Sequence, residues 1–262
     1  MNSRHEEKRS APPRAALVTG AGKRLGRAMA IDLGKAGFRV AVHYNRSADD
    51  AEDAVAEINA AGGDAVALRA DLADESATGA LIAAASAALG PVSLLVNSAS
   101  AFENDDIDTM TRESWDLHVN ANLRAPAKLA QDMARQAPTG ADNLIVNIVD
   151  QRVLKPTPQF LSYTVSKAAL FALTKTLAQG LGPRGVRVNA IGPGPTMKNR
   201  RQTDADWRAQ NEATVLGRGA TPDDIVGALR YLISAPAVTG QMIAVDGGQH
   251  LSWRTPDVLV NE

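Results

Sequence analysis

Seven short apolar runs alternate with longer amphipathic stretches, and no other feature of the chain restricts its fold so tightly. The runs fall at 15–19, 38–43, 65–68, 92–96, 143–148, 185–191 and 242–245. The stretches between them read as helices at 24–35, after Ser47, and at 74–89, 112–136, 161–181 and 222–234. Ser47 is placed to cap the second helix, because a serine hydroxyl accepts a hydrogen bond from the free N–H groups of a first turn. Strands that alternate with helices predict an α/β fold: a single Rossmann-type, doubly wound domain whose seven-stranded parallel sheet is covered by helices on both faces. Strands covered on both faces are nearly continuous in apolar character, as most of these runs are. A length of 262 residues suits one such domain, expected over 15–262 behind a flexible polar tail at 1–14. The segment 197–215 is polar and irregular, and reads either as a mobile lid or as a solvated loop with a short helix.

Composition narrows the chemistry. The chain has no cysteine, which excludes disulfides, thiolate zinc sites, iron–sulfur clusters and cysteine nucleophiles. Its four histidines, His5, His43, His118 and His250, show no ligand spacing, so no metal site is expected. A formal net charge of −1 gives no reason to expect nucleic acid or an anionic membrane as partner. No apolar run approaches a membrane span. Residues 1–14 lack the apolar stretch of a signal peptide, so the expected location is the cytoplasm.

Ligands of open parallel sheets bind beyond the carboxyl ends of the strands. There the first run passes through TGAGKRLG at 19–26 straight into a helix. Glycines let the backbone turn sharply and approach a pyrophosphate, and the helix N-terminus presents free N–H groups to it. Gly20, Lys23, Arg24, Leu25 and Gly26 are therefore candidates for binding a dinucleotide. The second run ends in HYNRS at 43–47, with no acid between Gly34 and Ala48 to hold a ribose 2′-hydroxyl. Arg46, together with Arg24 in the turn, favours a 2′-phosphate instead, because a guanidinium binds phosphate through charge-assisted bidentate bonds. The cofactor expected is NADPH/NADP+, with His43, Tyr44, Asn45, Arg46 and Ser47 around its phosphate end; the plain alternative makes both arginines surface charges.

Tyr163 and Lys167 lie four residues apart on one face of a predicted helix. A tyrosine of pKa about 10 is a poor acid–base group near neutrality. A neighbouring ammonium favours the phenolate, so the pair is expected to lower the tyrosine pKa and to transfer protons. Asp150 follows the fifth run, thirteen residues before Tyr163, and Asn122 lies in the long helix.

These pieces together resemble the short-chain dehydrogenases/reductases from about residue 15 to 248. The matching motifs are Thr19-Gly-Ala with Gly26, Asp71 with Leu72, Asn97 to Ser100, Asn122 with Leu123, Tyr163 with Lys167, Pro193 with Gly194, and Val245 to Gly248. The resemblance implies that Tyr163 is catalytic and that Lys167 binds the nicotinamide ribose. It implies that Asn122 supports a proton relay, that Asp71 approaches the adenine, and that Leu72, Asn97, Ser98, Ala99, Pro193 and Gly194 contact the cofactor. It also implies a homotetramer with two-fold symmetries. Three departures stand out: Arg24 replaces a usual glycine, Asn97-Ser-Ala-Ser100 replaces Asn-Asn-Ala-Gly, and Asp150 replaces the usual serine. These resemble the pteridine reductases and bacterial dihydromonapterin reductases.

Chemistry agrees with the narrower resemblance. A serine hydroxyl donates to a carbonyl that is becoming an alkoxide, whereas an ionised aspartate only accepts. Asp150 suits a substrate that gains protons, such as the C=N bond of a dihydropterin or dihydrofolate; the bland reading makes it a helix cap or loop acid. Phe102 is placed to stack on a flat heterocycle, Ser100 to bond its amide edge, and Arg24 to reach both pterin and phosphates. The expected reaction is NADPH-dependent reduction to the tetrahydro form. The alternatives are a carbonyl reductase of the same family acting on a non-pterin substrate, and a non-catalytic NADP-binding sensor.

Overall fold

The computed structural model describes residues 14–255. The seven strands are β1 (Ala15–Val18), β2 (Arg39–Tyr44), β3 (Asp64–Arg69), β4 (Val92–Asn97), β5 (Asn143–Ile148), β6 (Val186–Pro193) and β7 (Met242–Val245). They form one sheet in the order β3-β2-β1-β4-β5-β6-β7, with every neighbouring pair parallel. The helices are α1 (Arg24–Lys35), α2 (Ala48–Ala60), α3 (Glu75–Leu89), α4 (Arg112–Val119), α5 (Ala125–Gln136), α6 (Leu161–Leu181), α7 (Asp204–Glu212) and α8 (Pro222–Ser234).

Side chains alternate across a strand, so a sheet covered twice needs apolar residues at both phases. Val18, Val40, Val42 and Val96 pack on one face with Met29 and Leu33 of α1, Ile58 of α2 and Leu229 of α8. Leu17, Ala41 and Leu95 pack on the other with Leu81 and Ile82 of α3, Leu129 and Met133 of α5 and Leu181 of α6. The chain winds from β1 out to β3, then crosses back to place β4 on the other side of β1. That reversal opens a crevice beyond the carboxyl ends of β1 and β4.

Several local expectations need correction. The stretch 112–136 is not one regular helix: a π-helical turn at Asn120–Arg124 separates α4 from α5. Pro126 has no N–H to give to the carbonyl four residues back, at Asn122, which disfavours a regular α ladder there. Ser47 sits at the N-cap of α2 but its hydroxyl makes no capping bond. Asp74, expected inside α3, caps it instead by accepting from the N–H groups of Ser76 and Ala77. Arg14 belongs to the fold rather than to a tail: it donates to Ser93 Oγ at 3.3 Å and to the Asp142 carbonyl at 2.6 Å. The remainder of the expected tail, 1–13, lies outside the described residues. The segment 197–215 contains α7, opened by a capping box between Thr203 and Asp206. No helix among the described residues is long and apolar enough to cross a membrane.

Candidate active site

The turn after β1 is shaped by steric need. Gly20 has φ +65°, and a Cβ there would meet Ala99 Cα at 2.9 Å. A Cβ on Gly26 would lie 2.3 Å from the Gly20 carbonyl oxygen, so only glycine lets α1 begin this close to β1. Thr19 ties the turn to the end of β4: its hydroxyl accepts from Ser98 N–H and Ala99 N–H, both at 3.0 Å. Lys23 at the N-cap of α1 gives no side-chain cap, which leaves the first N–H groups of the helix available to a ligand.

A cleft of about 650 Å³ extends from this turn across the carboxyl ends of the strands. Gly20, Lys23, Arg24, Leu25, Gly26, His43, Asn45, Asp71 and Leu72 line one half; Ser98, Ala99, Ser100, Phe102, Asp150, Tyr163, Lys167, Pro193 and Gly194 line the other. Its glycine cradle, uncapped helix terminus and basic rim fit a dinucleotide phosphate.

Five expected site residues do not line the cleft: Tyr44, Arg46, Ser47, Asn97 and Asn122. Arg46 is exposed just past β2. The Asn97 amide turns into the sheet and donates to Asn147 Oδ1 at 2.8 Å, and Asn147 in turn donates to Thr174 Oγ1 at 2.9 Å. Asn122 holds the neighbouring loop, accepting from Ala101 N–H at 2.8 Å and donating to the Ala101 carbonyl at 3.0 Å and to Ser166 Oγ at 3.1 Å. Asn122 lies within the π turn.

Two residues that do line the cleft are already engaged. His43 Nδ1 accepts from Gly20 N–H at 3.0 Å, and Nε2 lies 3.2 Å from the Ala70 carbonyl. Burial lowers its pKa to about 4, so it is a neutral strut under the glycine turn rather than a phosphate ligand. The Arg24 guanidinium donates to the Met197 and Lys198 carbonyls at 2.8 and 3.0 Å. Its φ of +52° lies in the left-handed region, which favours glycine.

Tyr163 O–H donates to Asp150 Oδ2 at 2.8 Å. Asp150 Oδ1 accepts from Arg152 N–H at 2.8 Å, so this carboxylate caps a short turn and faces the tyrosine at once. Lys167, 2 % exposed, donates to the Ile148 carbonyl at 2.8 Å, with its Nζ 5.8 Å from the Tyr163 ring centre. The expected lowering of the tyrosine pKa is overturned. Burial, then the charge and hydrogen bond of Asp150, push Tyr163 well above its ordinary value. Burial also raises Asp150, against the pull of the Arg152 N–H and Tyr163, and lowers Lys167 to about 8, against the attraction of Asp150. For Tyr163, its own desolvation and the anion of Asp150 outweigh the pull of the Arg152 cation.

Phe102 meets Tyr163 edge-on at 4.7 Å and stacks on Phe160 at 4.5 Å between ring centres. Arg201 from the 197–215 segment donates to the Phe102 carbonyl at 2.5 Å and to Glu103 Oε2 at 2.9 Å. With Arg24 bonded to Met197 and Lys198, the start of that segment is anchored at two points, and Met197, Gln202, Trp207 and Gln210 join the cleft lining. Neither these four nor Arg152, which also lines the cleft, stood out in the sequence. The available signals were the T-x-x-D capping box at 203–206, a tryptophan in a polar stretch, and a cation two residues past Asp150.

Comparison with known proteins agrees with this geometry. Residues 20–250 match the family described as Enoyl-(Acyl carrier protein) reductase. A crystal structure of FolM Alternative dihydrofolate reductase 1 from Brucella canis, complexed with NADP, is 45 % identical with a TM-score of 0.90, over 94 % of this chain and 98 % of that one. The 3-oxoacyl-[acyl-carrier-protein] reductase FabG of Staphylococcus aureus is 31 % identical over 242 residues, 91 % of this chain and 98 % of FabG. The 3beta-hydroxysteroid dehydrogenase 1 of Eggerthella lenta is 35 % identical over 246 residues, 90 % of this chain and 93 % of that enzyme. Parallel sheet order, glycine turn, tyrosine–lysine helix and sequence match together place the chain in the short-chain dehydrogenase/reductase family.

Proposed function

We propose that the protein uses NADPH to reduce a dihydropterin or dihydrofolate to its tetrahydro form. The observation that carries this reading is the Asp150 carboxylate 2.8 Å from the Tyr163 hydroxyl at the cleft wall. A ketone becoming an alkoxide needs a donor there, and a carboxylate repels it. The C=N bond of a dihydropterin instead gains a proton, which a carboxyl of raised pKa beside a tyrosine is suited to deliver. The likeness to the Brucella canis FolM structure supports the same substrate class.

When bound, NADPH supplies a hydride to the ring carbon of the C=N bond. The chain's own residues do the rest. Lys167, held by the Ile148 carbonyl, contributes its positive charge beneath the tyrosine. Tyr163 points its O–H hydrogen bond at Asp150 and so leaves its oxygen lone pairs to accept from an N–H of the substrate. The proton for the ring nitrogen comes from the Asp150–Tyr163 pair as bulk solvent replaces it. Phe102, stacked on Phe160 and edge-on to Tyr163, walls the cleft beside the reacting ring. Preference for NADPH rests on Arg46 past β2 and on the absence of an acid between Gly34 and Ala48. A homotetramer is proposed on the same resemblance, with β7, the edge strand, half-exposed along its length in the single chain.

The FabG and steroid dehydrogenase relatives favour a second reading, an NADP-dependent carbonyl reductase. NADPH oxidation measured side by side with dihydrofolate, dihydrobiopterin, dihydromonapterin and a panel of ketones separates the two. Faster turnover of any ketone overturns the pterin reading, and steady NADPH consumption with any substrate excludes a non-catalytic sensor.

A further inference from the structure

We propose that Asp105, Ser162 and His118 form a buried positioning relay that locks the Phe102 loop onto the helix carrying Tyr163. The functional part of this inference rests on the reading of Phe102 and Tyr163 given above. All three side chains are almost without exposure: Asp105 1 %, His118 0 % and Ser162 0 %. They lie outside the cleft, and the reaction does not use them.

The relay begins with an unusual helix start. Phe160, the N-cap of α6, is in the left-handed region at φ 57° and offers no side-chain cap. The first N–H groups of α6 find their acceptors on the Phe102 loop instead. Leu161 N–H donates to the Asp105 carbonyl at 3.1 Å, and Ser162 N–H donates to Asp105 Oδ1 at 3.0 Å. The Ser162 hydroxyl donates to Asp105 Oδ2, and Ser114 Oγ adds a bond of 2.9 Å to the same oxygen. Burial raises the Asp105 carboxyl, but the bonds from Ser162 and Ser114 outweigh it and hold the group below its ordinary value, as an anion.

His118 extends the relay to the other side of Phe102. Its Nε2 accepts from Glu103 N–H at 3.0 Å. An N–H only donates, so the neutral ring carries its proton on Nδ1, 2.7 Å from Ser162 Oγ. Protons then run one way: Glu103 N–H to His118, His118 to Ser162, Ser162 to Asp105. The relay adjoins the two functional rings, since its first donor, Glu103, follows Phe102 and its inner member, Ser162, precedes Tyr163. Asn122 pins the loop on the near side, at Ala101. Phe102 is thus held between two latches, with its ring edge-on to Tyr163 at 4.7 Å.

One of those latches is sensitive to acid. A protonated imidazole has no lone pair for Glu103 N–H. The groups that face His118 are Asp105 and Glu103 from the loop, Ser114 from its own helix, and Lys167 with the Tyr163 ring from α6. Burial lowers its pKa, partly opposed by Asp105, so the ring is neutral and the latch closed at neutral pH. Acid opens the Glu103 end while the Asp105 cap on α6 stays in place.

Hydrogen–deuterium exchange across the peptide covering 101–105 tests this without substrate, comparing wild type with His118→Gln from pH 7 down to pH 4, because burial places the His118 transition below the ordinary histidine range. Gln keeps an acceptor for Glu103 but does not titrate. After correction for intrinsic rates, wild-type protection is expected to fall roughly tenfold, and that of the variant to stay flat. A pH-independent wild type, or a variant that follows it, overturns the relay. Steady-state kinetics of Ser162→Ala with dihydrobiopterin adds the functional readout. KM is expected to rise about tenfold with kcat and NADPH affinity nearly unchanged. Unchanged KM with a lowered Tm reduces the cluster to a structural one and overturns the functional half. If Ser162→Ala does not fold, the exchange comparison decides. If dihydropterins are not substrates, the exchange result still stands or falls by itself, which keeps this failure distinct from that of the proposed function.

Discussion

The 2.8 Å contact between Tyr163 and Asp150 is where the chemistry is concentrated, and it binds the fates of both residues. Tyr163→Phe is expected to cut turnover about 10²- to 10⁴-fold, the usual worth of a positioned proton donor, with NADPH affinity kept. Single-turnover and binding assays check it; turnover within a few-fold of wild type sinks the proton role. Asp150→Ser restores a neutral donor and is expected to depress dihydropterin reduction by a similar factor while leaving the fold intact. Lys167 titrates at about 8 because burial disfavours its charge. Above that pH it turns neutral and its support for the tyrosine fades, so kcat/KM of the free enzyme is expected to descend as pH rises through about 8. A profile flat to pH 10 contradicts it. The i, i+4 pairing of Tyr163 with Lys167 was legible, because helical spacing is local. The direction of the tyrosine pKa was not, because desolvation depends on everything packed around the ring.

Elements carry a second set of decisions. Asn97 was expected at the cofactor, yet its amide joins a chain through Asn147 to Thr174 that ties β4 and β5 to α6. Asn147→Ala leaves the buried Asn97 amide without its acceptor, while Thr174 keeps its bond to the Leu170 carbonyl, and is expected to cost about 2 kcal/mol. Urea unfolding followed by circular dichroism reads that loss; a midpoint equal to wild type refutes the structural role. Asp74→Ala removes the cap of α3 and is expected to cost about 1 kcal/mol without touching activity. The strands and most helices were readable from periodicity, with ends off by a residue or two. The π turn at Asn120–Arg124 was not, because a helix with one extra residue per turn carries the same apolar stripe over so short a stretch. α7 announced itself through the T-x-x-D box, a signal outweighed by the polarity around it.

At the level of the whole molecule, the reversal of winding at β1 and β4 gathers the glycine turn, the Phe102 loop, Asp150 and α6 around one cleft. Cofactor bound there stabilises only the folded chain. NADPH at a hundred times its Kd is therefore expected to raise stability by about 2.7 kcal/mol, seen as a rise in Tm of several degrees, with NADH far less effective at the same concentration. Equal shifts from the two cofactors contradict the 2′-phosphate preference. The sequence by itself determined the α/β alternation, the glycine turn and the tyrosine–lysine pair, because each is written in residues within a few turns of one another. Tertiary structure alone decided that Arg24 grips the Met197 and Lys198 carbonyls, that His43 is a neutral strut, and that Asp105 caps a helix 57 positions away. Those outcomes depend on which groups burial leaves without water, and only the folded chain brings their distant partners within reach.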